Sequence, residues 1–356
     1  RLLDTGAYGL SKEGLRNICR EHVPKAMKSW KAKRVLLYAH GGLVSQDSAV
    51  QYVANTREFA LKAQVYPIAF IWRSDVWSTI RNILQDAISR RKAEGMLDAA
   101  KDFMLDRLDD TLELLARQLG GKTLWDEMKE NATRAASRAT GAARMTADHL
   151  IAMKKAGEID EIHLVGHSAG SILMAPLATH LHKNGVPVSS LSLWAPACTI
   201  ELFNDAYRPL IESKAIEAFD LYTLDDQTER DDNCAHLYNK SLLYLVSGAF
   251  EKDPRIPLVN PDGTPLLGLA RDATNEKLIA KSFWNSNVRR HILSPGALSQ
   301  ARHHGDFDND EKTLLTTLKL VTGGNKAASA APVQLNASPA RMAQRRQTLE
   351  VAIRRA

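Results

Sequence analysis

The sequence has no run of about 20 uninterrupted apolar residues, so no transmembrane helix is expected. It has three cysteines in 356 residues, Cys19, Cys198 and Cys234, widely spaced and without a C-x-x-C pair. That excludes a disulfide framework, and the scarcity of thiols fits a reducing, cytoplasmic setting. It lacks a stripe of Lys and Arg interleaved with aromatics, so no nucleic-acid partner is expected. The net charge is +6, but five of those charges belong to residues 322–356, where Lys326, Arg341, Arg345, Arg346, Arg354 and Arg355 face Glu350 alone. No internal repeat is present. The chain begins at Arg1 rather than Met, so nothing about a leader peptide follows from its start.

What is present is an alternation of strand-like and helix-like segments. Residues 1–32 are a polar lead-in with a short helix around Lys12–Glu21. Apolar runs at 35–39, 65–72, 162–165, 191–194 and 218–224 read as strands, and the more polar 290–293 as a candidate last strand. Amphipathic stretches at 48–63, 169–183, 200–214, 241–250 and 309–321 read as helices, the second with Pro176 inside it. Such alternation implies an α/β domain over 33–321, with a mostly parallel sheet covered by helices on both faces.

Between the second and third strands, residues 78–156 follow a helical period throughout. One stretch runs through Leu105, Leu108, Leu112, Leu115 and Leu119 and ends at Gly120-Gly121. This is far longer than an ordinary crossover, and we expect one core helix plus an inserted helical subdomain. Residues 322–340 read as a linker, and Arg341–Arg355 as a short basic helix, marginal alone.

The chemistry centres on Gly166-His167-Ser168-Ala169-Gly170, a G-x-S-x-G placed between a predicted strand and a predicted helix. In that setting the turn is so tight that glycine is needed on both flanks. It lifts the serine hydroxyl clear of the sheet at a helix N-terminus, and the Ala169 N–H can hold a developing oxyanion. Ser168 is therefore the candidate nucleophile.

A serine hydroxyl needs a base, an acid to orient the base, and further oxyanion donors. His304, on a loop after the last strand, is the preferred base, with His303 second. The acid is expected after the strand that ends at Leu224. Asp226 is preferred there, then Asp225, with Glu229, Asp231 and Asp232 just beyond. The first strand runs into His40-Gly41-Gly42-Leu43, where glycine exposes N–H groups, so Gly42 joins Ala169 as an oxyanion donor, with Leu43 as the alternate.

A first strand ending in His-Gly-Gly, a nucleophile turn, an acid after a later strand and a final His-Gly resemble the α/β-hydrolase superfamily over residues 33–321, apart from the helical insertion. The resemblance implies a serine hydrolase, esterase- or lipase-like, acting on an ester, thioester or amide of a small-molecule or lipid acyl substrate. It implies no metal and no cofactor. The long insertion departs from the family, where lids more often follow the strand after the nucleophile.

Other signals carry less. Leu119-Gly120-Gly121-Lys122-Thr123 resembles a phosphate-binding loop but has Ala116 where glycine is required. Asp306, Asp308 and Asp310 have the spacing of a calcium-loop start, but Glu311 and Thr317 stand where glycine and glutamate belong, so helix capping is expected there. His180 and His182 do not share a helix face, and His163 reads as a sheet histidine. Trp72 and Trp77 read as packing residues. The alternative to an enzyme is a catalytically silent hydrolase-fold binding module. In either case the insertion and the basic tail are the surfaces offered to a partner or to an anionic membrane.

Overall fold

The computed structural model describes residues 2, 9–42, 46–72, 79, 82–86, 112–232, 234, 238–256 and 258–324. Leu43, Trp77, most of the stretch 78–111 and the tail beyond 324 lie outside the described residues.

The chain enters through helix α1 (Lys12–Asn17), which continues through a wide turn and a second short helix to Met27, further than the sequence suggests. Six strands follow among the described residues: β1 (Arg34–Ala39), β2 (Val65–Phe70), β3 (Glu161–His167), β4 (Ser190–Trp194), β5 (Phe219–Leu224) and β6 (Arg289–Ser294). They form one all-parallel sheet in the order β2-β1-β3-β4-β5-β6. The inner strands β3, β4 and β5 are almost wholly buried because helices cover both faces, while the edge strands β2 and β6 are partly open. Helix α2 (Gln46–Lys62) joins β1 to β2. Helices α3 (Lys122–Ser137) and α4 (Ala142–Lys155) lead into β3, and α5 (Gly170–Lys183) leaves it, continuing through Pro176. The short helix α6 (Asp226–Asp231) follows β5, and α7 (Glu311–Val321) closes the fold. Asp310 caps α7 by accepting the Thr313 N–H at 3.0 Å, so the last carboxylate of that acidic run does cap the helix.

Helices α2 and α7 share one face, where Phe59, Ala60 and Ala63 pack with Leu318 and Val321. Helices α3, α4 and α5 and the helical stretch Ile200–Glu212 share the other. An apolar cavity of about 50 Å³ lies on the first face, between Tyr38, Tyr52, Phe59, Trp194, Leu314 and Leu318. Its walls include neither Ser168 nor His304.

Residues 112–155 belong to the main core. Trp125, Met128, Ala132 and Ala136 form one buried face of α3, which packs against α5. The stretch 112–121 meets α3 at Gly120, whose φ of 101° only glycine takes without strain, so the Gly-Gly pair makes a kink between two helices. Buried polar groups clamp this layer to the segment after β5. Arg117 donates to the carbonyls of Ala249 and Glu251, and Tyr238 Oη donates to Glu113 at 2.6 Å.

The topology places a crevice at one point. From β1 the chain crosses to β2 at one edge, and from β3 it winds the other way through β4, β5 and β6. The carboxyl ends of β1 and β3 therefore meet at the switch point, where ligands of open parallel sheets bind. His40-Gly41-Gly42 leaves β1 there, and Ser168 leaves β3.

The two ends touch so closely that Gly170 is fixed as glycine. A Cβ on it would stand 2.1 Å from the Ala39 carbonyl oxygen. Gly170→Ala is expected to lower stability by about 3 kcal/mol, because backbone must move to admit the methyl group. Gly305→Ala, in open space, should change stability by less than about 1 kcal/mol. Denaturation midpoints of the two variants check this.

Candidate functional site

Ser168 sits in a left-handed backbone conformation, φ 51°, which costs a non-glycine residue on the order of 1 kcal/mol or more. Hydrogen bonds hold it there. Its N–H donates to the Trp194 carbonyl at 2.9 Å. Its carbonyl accepts from the Ser171 N–H at 3.1 Å, the Ser171 hydroxyl at 2.6 Å and the Ala197 N–H at 3.0 Å. A trans peptide is planar, so pinning that carbonyl also aims the Ala169 N–H the opposite way. Ala169 is the N-cap of α5, and first-turn N–H groups have no partner within a helix.

The same device recurs at the end of β1. His40 Nδ1 lies 2.6 Å from the Gly41 carbonyl, so that nitrogen carries the proton and donates it. Nε2 is then the acceptor, and it takes the Trp72 N–H at 3.2 Å, while the indole N–H donates to the His40 carbonyl at 3.2 Å. Burial pushes the His40 imidazole down to about 4, which keeps the ring neutral. Holding the Gly41 carbonyl fixes the plane of the next peptide and with it the Gly42 N–H. A Cβ on Gly41 would meet Ser168 Cβ at 3.1 Å, and one on Gly42 would meet Ala169 Cβ at 3.3 Å, so the two loops are in contact. Trp72, read as a packing residue, thus also latches the glycine loop.

His304 Nε2 lies 2.9 Å from Ser168 Oγ, and both side chains are buried. Burial, with the His167 ring adding to it, pushes the His304 imidazole down to about 3, so the ring is neutral. In the tautomer that lets the serine hydroxyl donate to Nε2, Nδ1 carries a proton. Among the described residues that Nδ1 has no hydrogen-bond partner.

The structure does not bring Asp226 or Asp225 to this histidine. The acidic run after β5 is not an open loop but helix α6. Asp225 is its N-cap, accepting the Thr228 N–H at 2.8 Å. Asp226 lies in its first turn, bonded to Arg230 at 3.0 Å and to Tyr244 Oη at 2.8 Å. Asp231 pairs with Gln227 on the same helix. The carboxylate that reaches the histidine loop is Asp232, one residue past α6. It accepts the His304 backbone N–H at 2.8 Å and lies 2.7 Å from His303 Nδ1. His303 itself is 59% exposed, and Asp232 raises its basicity. His303 therefore braces the carboxylate, while His304 faces the serine.

One further group was not singled out by pattern. His167, the variable residue before Ser168, lies with Nε2 3.0 Å from the His304 carbonyl, so it holds the His304 loop through its backbone. Its Nδ1 faces the buried Asp308 at 3.8 Å, and burial pushes the Asp308 carboxyl up, partly offset by His167. His163, expected as a sheet histidine, is buried in β3 and bonded to Ser190 Oγ at 2.8 Å. Among the described residues no cluster of His, Cys, Asp or Glu could hold a metal ion, and no helix is long and apolar enough to cross a membrane. No protein-family model matches the chain, and no curated protein is significantly similar to it.

Glu229, on α6, is a second unusual carboxyl of this segment. It is buried, with one oxygen bonded to Ser241 Oγ at 2.5 Å and the other without a partner among the described residues. Burial pushes its carboxyl up to about 8, with Asp232 adding to the effect, so Glu229 is protonated at neutral pH. A carboxyl whose folded pKa is raised stabilises most below its unfolded value of about 4.3 and loses that contribution as pH rises toward 8. Glu229→Gln should therefore flatten the decline in melting temperature between pH 4.5 and 8. A parallel decline in both proteins would contradict a protonated Glu229.

Proposed function

We propose that the protein is a serine hydrolase of the α/β-hydrolase type, esterase- or lipase-like, cleaving an ester, thioester or amide through an acyl-enzyme. Fold alone does not define chemistry. The observation that carries the reading is the 2.9 Å approach of His304 Nε2 to Ser168 Oγ, in a left-handed turn at the switch point of the sheet.

In this reading Ser168 Oγ attacks the substrate carbonyl carbon as its proton passes to His304 Nε2. The carbonyl oxygen becomes an oxyanion held by the N–H groups of Gly42 and Ala169. The intermediate collapses, the bond to the leaving group breaks, and His304 returns the proton to the departing atom. A water then attacks the acyl-enzyme, gives its proton to His304, and the second collapse frees the acid and restores Ser168. Asp232 stands in for Asp226 only through the backbone and leaves the imidazole Nδ1 untouched. It holds the base loop by the His304 backbone N–H.

A silent binding module remains the second reading, favoured by one observation, that His304 Nδ1 has no partner among the described residues. A general base is ordinarily oriented by a third group through that atom. A fluorophosphonate probe decides between the two, because it bonds only to an activated serine. Labelling of the natural chain that Ser168→Ala abolishes is the expected result, and a folded chain that takes no label sinks the hydrolase reading.

Two outcomes follow for an active protein. Asp232→Ala should lower kcat/KM for a small ester roughly 10- to 100-fold, by letting the base drift, and Asp226→Ala should lower it far less. The base form of His304 is present above its lowered pKa, so the acid limb of the rate profile should fall below the ordinary imidazole value of about 6.5. Initial rates from pH 4 to 8 check the second outcome.

A further inference from the structure

Met128 lies on α3, far from the nucleophile in sequence, yet its side chain ends at the glycine loop. Its Sδ stands 2.2 Å, and its Cε 3.2 Å, from where a Cβ on Gly42 would be, and Ala169 Cβ lies 3.3 Å from the same point. The thioether therefore fills the space that Gly42 leaves open beside Ala169. These are the two residues whose N–H groups are proposed to hold the oxyanion.

The helix that carries Met128 is held in place at this turn. Trp125 and Lys129, four apart, both reach one buried carboxylate. Trp125 Nε1 donates to Glu251 Oε1 at 2.6 Å, and Lys129 Nζ donates to Glu251 Oε2 at 2.7 Å. With the backbone so fixed on both sides of residue 128, the adjustable part is the side chain. Methionine has three rotatable bonds and fills irregular gaps without fixing their shape.

A substrate whose carbonyl oxygen sits on the Gly42 and Ala169 N–H groups has its carbonyl carbon at Ser168 Oγ. The group attached to that carbon must pass the side chain packed on the two donors. We infer that Met128 walls the acyl site and sets the length of acyl chain accepted, short chains fitting beside the thioether and long chains having to displace it. This rests on the serine-hydrolase reading and adds to it a substrate class, esters of short acyl groups.

The test uses the full chain with 4-nitrophenyl acetate and 4-nitrophenyl octanoate, alongside ethyl acetate and octyl acetate. Met128→Ala should raise the octanoate-to-acetate ratio of kcat/KM about tenfold or more, the scale of one or two methylene contacts in an apolar pocket. The octyl-to-ethyl ratio should stay as it was. Met128→Leu keeps most of the volume but not the reach, so it serves if the alanine variant fails to fold, with a shift of roughly threefold in the same direction. Unchanged acyl selectivity in a folded variant overturns the inference, as does a shift confined to the alcohol series. If Ser168→Ala hydrolyses the esters as fast as the natural chain, the hydrolase reading falls first and this one with it.

Discussion

The arrangement depends on one carbonyl. Ser168 is held in a conformation that its side chain disfavours because its carbonyl accepts three hydrogen bonds, from Ser171 twice and from Ala197. Those donors come from the start of α5 and from the segment after β4, so the strain at one residue is carried by two neighbouring elements. Releasing the carbonyl would let the residue relax, drop the hydroxyl out of line with His304 Nε2, and turn the Ala169 N–H away. The 2.1 Å that separates an imagined Gly170 Cβ from the Ala39 carbonyl oxygen shows how tightly the turn is seated against β1.

The glycine loop obeys the same logic with different chemistry. A neutral imidazole, kept neutral by burial, grips the Gly41 carbonyl and is itself held by the Trp72 N–H. In both places the aim of an N–H is set by its neighbour's carbonyl, across a rigid peptide plane. Neither donor relies on a flexible side chain. The helices that roof this pair are held by carboxylates taken into the interior, Glu113 and Glu251, each matched by donors on the facing segment. Buried charge of this kind is costly when a partner is missing, which ties α3 closely to the loop after β5.

The sequence made the inner strands legible because a parallel sheet buried on both faces leaves continuous apolar runs, and it made the turn at Ser168 legible because sterics demand glycine there. Asp226 was misread for a physical reason. Five carboxylates in eight residues look like a solvated loop, and charge density hid the helical spacing beneath it. The signals were present: Asp225 three residues before Thr228, as an N-cap requires, and the pairs Asp226–Arg230 and Gln227–Asp231 at i,i+4. Read as a helix, the segment carries the reaching carboxylate forward to Asp232. Met128 had no such signal. Its contact with Gly42 spans 86 positions and exists only once α3 has docked, so local pattern could not have linked the two.

The pairing of Ser168 with His304 joins residues 136 positions apart, and α6 with Asp232 lies between them in the chain. Synthesis runs from the amino end, and domains form as they emerge. The first four strands and the serine turn are therefore synthesised while the imidazole that faces the turn is still unmade. Throughout that interval Ser168 lacks the imidazole that faces it in the finished fold. Whatever reactivity the serine acquires therefore waits for the loop after the last strand.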